Sequence, residues 1–592
     1  MPHQDTSPVA MSAVGTDHFE TEPDGITPRI VSRFRSGQLH RTVVLLAVVS
    51  LFIGTVTAFD TVIWTSPIAG IVMIVGYALA LALAVMAFVV RRTGSLLALD
   101  IGVLVCTLMI RLPEFLTSLG TPQGRPNAPY ATDEGALVDN AANALLHGRN
   151  PYAIPWLGAH VPTQSGITAT MSGGVIDHFD YPSMSALLAA VSRWLLPTQP
   201  AAAIVAFAGL LAATIVLFVL LPAPWRSAGT MLCLGLGLYL QPLARQGYPE
   251  VLLLPFLVVA VNRWPRIGID GRLRGLGLAS AICLGLACAT QQTAWFLVPF
   301  LVVGLLLVRV GDLGRRGATL LISRYVAVTL GAFAVVNAAF VIWGPRLWAG
   351  AIVTPLGART VPHGQGLIGL YNFLGGTSLL HVFSYAAAAF AIAALACLAL
   401  FMRSLGPAMI MLPWPIFFLS VRSSDRYFYM LAPVWLISLA TVRHRDFAKA
   451  WTPRIRQAWR PWVVAGLFLP SVLLVGAVIA SPQPLKMNVL YVQPSKSSYT
   501  KEIFISVTNT SKRAIEPHFA LASSVAMSRF WLASGGPKIL EPGMTAEYAL
   551  LPPVPTARRS LLGPRIELRA VSAYPETISS VALPMLSGSG VP

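Results

Sequence analysis

Residues 67–90 read PIAGIVMIVGYALALALAVMAFVV, 24 residues without one charged side chain. At about 1.5 Å of rise per residue such a run exceeds the roughly 30 Å of hydrocarbon in a bilayer. Its length and uniform apolarity predict a membrane-crossing helix. Reading outward with a window of about 19 residues finds comparable runs near 42–59, 97–116, 201–221, 228–244, 248–262, 275–290, 294–309, 324–343, 381–402, 407–420, 428–441 and 462–480. The sequence thus predicts a polytopic α-helical membrane protein of about thirteen spans. Composition agrees, with 55% hydrophobic and 11% charged residues, where soluble domains carry about 25% charged. A soluble enzyme and a disordered chain are both excluded.

Charge placement predicts orientation. Of 42 basic residues, 22 fall in segments on one side if the N-terminus is inside, among them Arg29, Arg33, Arg35, Arg91, Arg92, Arg315, Arg316, Arg443 and Arg445. Short loops rich in Lys and Arg resist export, so the bias predicts N-in and C-out. The net charge of +18 is therefore a topology signal, and a nucleic-acid partner is not indicated; the bilayer is. Acids lean the other way: Glu114, Asp133, Glu134, Asp139, Asp177, Asp180, Glu250 and Asp425 all map to the outer side. Residues 1–40 read as a cytoplasmic tail, and the five cysteines lie in apolar runs with no metal or redox spacing.

Two outer segments exceed mere connections. One spans about 117–200 inside a membrane domain of residues 41–484. The other, 485–592, shifts to short alternating runs such as Glu502-Ile503-Phe504-Ile505-Ser506-Val507, divided by Pro/Gly turns. Strands at this spacing predict an extracytoplasmic β-sandwich of immunoglobulin-like type.

In the first segment, residues 134–146 are helical in pattern, with Val138, Ala141, Ala142 and Leu145 on one face and Gly148 and Pro151 as stop signals. Thr132 or Asp133 would cap it. Its four-turn amphipathic character predicts a helix lying on the membrane surface. The helix dipole favours ionised Asp133 and Glu134 at its start.

An Asp-Glu pair on the first large outer loop, then a helix ending in Leu145-Leu146-His147-Gly148-Arg149-Asn150-Pro151-Tyr152, resembles glycosyltransferases of the GT-C superfamily. Phe179-Asp180-Tyr181-Pro182 resembles the Tyr-Pro element that closes that loop. Arg422-Ser423-Ser424-Asp425-Arg426-Tyr427 resembles the Arg-Tyr element before a late span. The resemblance covers roughly residues 95–445. It implies an integral-membrane enzyme, similar to mannosyl- and arabinofuranosyltransferases, that takes a sugar from a polyprenyl-phosphate donor and passes it to a glycan or glycolipid acceptor of the cell envelope at the outer face of the cell membrane.

That chemistry requires a base for the acceptor hydroxyl and a cation for the departing phosphate. Asp133 is the expected general base, with Glu134 orienting the acceptor or sharing the task. The competing reading is that both are ordinary helix-capping acids. Arg426 is the expected phosphate ligand, because a guanidinium fork matches phosphate oxygens, with Arg422 on the same face if the stretch is helical. The competing reading is a headgroup anchor or a pair with Asp425. Asp177, His178, Asp180 and Tyr181 form a second cluster, read as a sugar-binding loop; such residues can also bind a divalent ion, but no ligand set of recognisable geometry appears and no cofactor is assigned. Arg149 and His363 are further candidate contacts to sugar or phosphate. Tyr248-Pro249-Glu250 and Gln291-Gln292 lie at span ends where they either line the cavity or pack helices. Two other classes compete: a transporter or flippase of lipid-linked saccharide, disfavoured by acids gathered at one face without paired halves, and a non-catalytic glycan-binding scaffold.

Overall fold

The computed structural model describes residues 26–53, 55–90, 96–120, 130, 133–156, 168–237, 239–357, 360–364, 366–373, 380–420, 422–424, 426–494, 500–522, 527–553 and 566–583. The apolar runs form helices throughout. The first four are α1 (Ile26–Leu51), α2 (Thr55–Thr65), α3 (Pro67–Val89) and α4 (Leu96–Gly120). Helix α1 extends back to Ile26, so residues 26–40 of the N-terminal segment are helical. Ser66 accepts from the Ala69 amide, and Pro67 occupies the first turn of α3, a position that needs no N–H. These helices share a core of Val44, Leu51, Met73, Ala80, Val103 and Ile110. Within it His40 Nε2 lies 2.8 Å from Asp100 Oδ2, and Ser227 Oγ donates to Asp100 Oδ1 at 2.5 Å, so the buried carboxylate is satisfied from two helices.

The next helices are α5 (Asp133–Leu146), α6 (Met184–Leu195) and α7 (Ala201–Leu220). Residues 226–261 are then broken into α8 (Arg226–Thr230), a π-turn at Met231–Gly235, α9 (Leu240–Arg245), α10 (Pro249–Leu252) and α11 (Leu254–Val261). Continuous helix resumes with α12 (Leu276–Thr290) and α13 (Leu297–Trp343), the latter kinked at Gly314. After these come α14 (Pro345–Gly357), α15 (Leu367–Phe373), α16 (His381–Leu400), α17 (Met402–Leu405), α18 (Pro415–Leu419), α19 (Arg426–Tyr429), α20 (Ala432–Thr441) and α21 (Arg460–Ile479). Among the described residues six helical runs are long and apolar enough to cross a membrane, and four shorter apolar helices accompany them. The difference from thirteen has a physical origin. Two of the expected spans, 294–309 and 324–343, lie within the one run Gln292–Trp343. The runs near 228–262 and 407–420, rich in proline that removes amide donors, fall into short helices.

The C-terminal region is β-sheet. Strands β3 (Leu485–Pro494), β4 (Thr500–Asn509), β7 (Thr545–Leu551) and β6 (Leu532–Ser534) form one antiparallel sheet in that order; β5 (His518–Ala522), β8 (Glu567–Ala573) and β9 (Glu576–Ala582) form a second. One core of Leu485, Ile503, Ile505, Val507, Phe519, Tyr548, Leu550 and Leu568 is shared by both sheets. Two further short strands, β1 (His363–Gly364) and β2 (Arg422–Ser423), pair in parallel beside the helices.

Candidate active site

Helix α5 begins at Asp133, as its acidic first turn suggests, and exposes Asn140, Asn143 and Leu146. Nine of its residues are buried, from Asp133 and Glu134 to Ala144, against α6 and α7. Leu137, Val138, Ala141 and Ala142 join the main core, Asn140 and Asn143 face outward, and Asp139 is buried through specific partners. Asp139 accepts from the Ala202 amide at 2.8 Å and from Tyr130 at 2.9 Å and pairs with Arg193 at 3.0 Å. It thereby satisfies an amide in the first turn of α7. Burial raises its pKa above the ordinary carboxyl value, while Arg193 opposes the rise. Gly135 is in this turn because a Cβ there would strike the Gln246 carbonyl and the Tyr130 ring. Its absence lets α5 close onto the bend that precedes Tyr248-Pro249-Glu250.

That contact builds the centre. Glu134 Oε1 lies 3.0 Å from Arg426 Nη1, and both side chains are largely buried. Arg426 Nε donates to Ser424 Oγ at 2.8 Å, and the guanidinium sits 4.3 Å above the Tyr248 ring. Burial works against the charge of Arg426, yet Glu134, Tyr248 and Glu250 outweigh it and raise its pKa. Glu250 is 2% exposed, with the Gln291 side chain near its carboxyl group. Tyr181 lies among the carboxylates: burial, then Asp180, Glu134, Glu250 and Asp133 in turn, push its phenol well above the ordinary tyrosine range. Tyr181 is therefore an O–H donor at neutral pH. Four acids and one arginine, from four separate stretches of sequence, thus converge.

Asp133, next to Glu134 in the first turn of α5, is bound by Thr168. Its Oδ2 accepts from the Thr168 amide at 3.2 Å and from Thr168 Oγ1 at 3.0 Å. The segment carrying Asp180 and Tyr181 is fixed by distant side chains. Tyr152 donates to the Tyr181 carbonyl at 2.9 Å, Ser183 binds Asn337 Oδ1 through both amide and hydroxyl, and Gln292 donates to the Asp180 carbonyl at 2.6 Å. Asn150 Oδ1 in turn accepts from the Tyr152 amide, so the Asn150-Pro151-Tyr152 turn serves to aim the tyrosine.

Not every expected residue joins. His178 hydrogen-bonds its neighbour Asp177, both half-exposed, while Asp180 beside them is buried. Arg149 is exposed after the end of α5. Arg422 lies on strand β2, paired with His363 of β1, and helix begins only at Arg426; the two arginines do not share a helix face, because the Arg422–Ser423 backbone is spent on the β1 ladder. The side chains of Arg422 and His363, and Asp425 altogether, lie outside the described residues. The sequence leaves Glu250 and Gln292 between cavity lining and helix packing, and it does not mark Thr168. For Glu250 the signal was an acid inside an apolar run; for Thr168 the sequence carries none.

An apolar groove of about 610 Å³ has a lining that includes Phe390, Trp414, Phe418, Phe428, Trp435 and Phe468. Phe428 is two residues from Arg426, and Tyr427 packs on Phe417 with ring centroids 5.1 Å apart. Among the described residues no group of three or more His, Cys, Asp or Glu side chains is placed to hold a metal ion. In comparisons with known proteins the chain matches no family model, no curated protein and no solved structure.

Proposed function

We propose that this chain is an integral-membrane glycosyltransferase of GT-C type, moving a sugar from a polyprenyl-phosphate to a cell-envelope glycan or glycolipid at the outer membrane face. The observation that carries the reading is the Glu134–Arg426 contact of 3.0 Å. It unites an acidic motif and a cationic motif far apart in sequence, and Phe428, two residues from Arg426, lines an apolar groove. In this reading Asp133 takes the acceptor proton, Arg426 holds the donor phosphate, and Glu134, Asp180, Tyr181 and Glu250 bind sugar hydroxyls. The groove takes the isoprenoid chain, and its volume falls within the roughly 300–1,000 Å³ of ligand sites. The orientation is N-in and C-out, the broken apolar stretches complete up to thirteen crossings, and the two sheets form an immunoglobulin-like sandwich that presents acceptor. The half-exposed Asp177–His178 pair suits sugar contact better than catalysis.

The test is direct. Purified protein in nanodiscs is incubated with a panel of labelled polyprenyl-phosphate hexoses and pentoses. Binding and turnover of at least one donor is the expected result. Failure to bind any of them, with the protein folded, would remove the lipid-donor reading.

A further inference from the structure

Residues 168–176 fold into a tight hairpin. The Ile176 amide donates to the Thr168 carbonyl at 2.9 Å, Thr170 to Gly174 at 2.9 Å and Gly173 to Thr170 at 3.2 Å. Gly173 has φ +80°, and a Cβ there would run into the His518 imidazole of β5. Ala169 and Met171 are buried in one cluster with Val571 and Ile578 of β8 and β9. The hairpin also joins the other half of the centre: the Val361 amide donates to the Ala169 carbonyl at 2.9 Å, and the chain runs on to β1, whose partner β2 leads into Arg426. The Leu380 amide donates to the Glu576 carbonyl at 3.1 Å, tying the β8–β9 turn to the start of α16. An isolated two-stranded hairpin is marginal in water. This one is held by the C-terminal sheets packed against it.

We propose that Thr168 is a positioning residue for Asp133 and that the C-terminal β region, by clamping hairpin 168–176, holds Thr168 in place. This rests on the reading of Asp133 as the general base. Two donors on Oδ2 fix the rotation of the carboxylate and favour its ionised form. Undocking the sheets frees the hairpin, removes both donors and leaves the base misaligned. The C-terminal region then acts on the reaction itself, besides any part in acceptor recognition.

The full chain in nanodiscs allows two readouts. Hydrogen–deuterium exchange is compared for wild type, Ile578→Ala at the clamp and Ile505→Ala in the sheet core remote from it. Ile578→Ala should speed exchange in peptides covering 168–176 and 130–146 several-fold, and Ile505→Ala should not. His518→Ala provides a second clamp variant should Ile578→Ala fail to fold. Exchange in 168–176 that is unchanged by either clamp variant, or raised equally by Ile505→Ala, would overturn the clamp. The second readout is the pH profile of transfer from a labelled polyprenyl-phosphate sugar. Thr168→Val should lower kcat about tenfold or more, the worth of a hydrogen bond to a charged group. It should also move the acid limb to higher pH with donor KM unchanged, and Thr168→Ser should restore both. An unshifted limb would overturn the positioning role. Exchange needs no substrate, so a wild type that transfers nothing would strike the enzyme reading while the exchange result still decides the clamp.

Discussion

Arg426 Nη1 and Glu134 Oε1 lie 3.0 Å apart in a site where both side chains are mostly shielded from water. Separate partners were expected for them, phosphate for the arginine and acceptor for the glutamate, and here each is a partner of the other. A buried pair costs much to break, because the survivor is left as an uncompensated charge.

Arg426→Ala should therefore destabilise the protein by roughly 3–5 kcal/mol, read as a fall in thermal midpoint in detergent. Glu134→Gln combined with Arg426→Ala should lose much less than the two single variants added together. Strictly additive losses in the double variant would show that the two groups are not coupled.

Much of the helical framework was legible because its signals are local. Helix α3 follows from 24 uncharged residues, and α5 starts within one residue of the expected position because acids, Gly148 and Pro151 mark its ends. What was not legible depends on distant partners. That α5 is buried requires α6 and α7 to be in place. That Arg422 leaves the face of Arg426 requires the β1 strand at His363. The broken helices of 226–261 escape a window that averages hydropathy. Thr168, a small polar residue in a loop, acquires its meaning only from lying 3.0 Å from Asp133.

His518 supplies a pH dependence. Burial lowers its pKa from the ordinary 6.5, Glu516 at 3.7 Å opposes this, and Lys538 adds to it. The hairpin facing it, residues 168–176, has no titratable side chain. A depressed histidine pKa means that its contribution to docking is complete above about pH 6.5 and is lost as pH falls through the lower folded value. Exchange in 168–176, corrected for intrinsic rates, should accelerate as pH falls below the ordinary histidine value, and His518→Gln should flatten that response. Acceleration on raising the pH instead would contradict it.

The groove should recognise chain length. Trp414→Ser or Phe428→Ser removes apolar wall and should weaken binding of a long polyprenyl-phosphate at least tenfold, since each buried CH₂ is worth about 0.8 kcal/mol. A short-chain analogue with the same head should be affected little. Equal losses for both lengths would place the lipid chain elsewhere.

Orientation is tested by labelling. In a background without the native cysteines, Lys512→Cys should react with an impermeant thiol reagent applied to intact cells or spheroplasts, and Ser404→Cys should not. Both positions are exposed on the protein, so the membrane alone decides access. The reverse pattern would invert the topology and the side of the site.

Asp133 offers the most direct test of the catalytic claim. Asp133→Asn keeps the size of the side chain and much of its capping capacity, so expression, thermal midpoint and donor affinity should stay close to wild type. Transfer from the labelled polyprenyl-phosphate sugar that the wild type accepts should fall by about 10² to 10⁴, the usual cost of losing a general base. Transfer at the wild-type rate by a well-folded Asp133→Asn protein would contradict the assignment of Asp133 as the base.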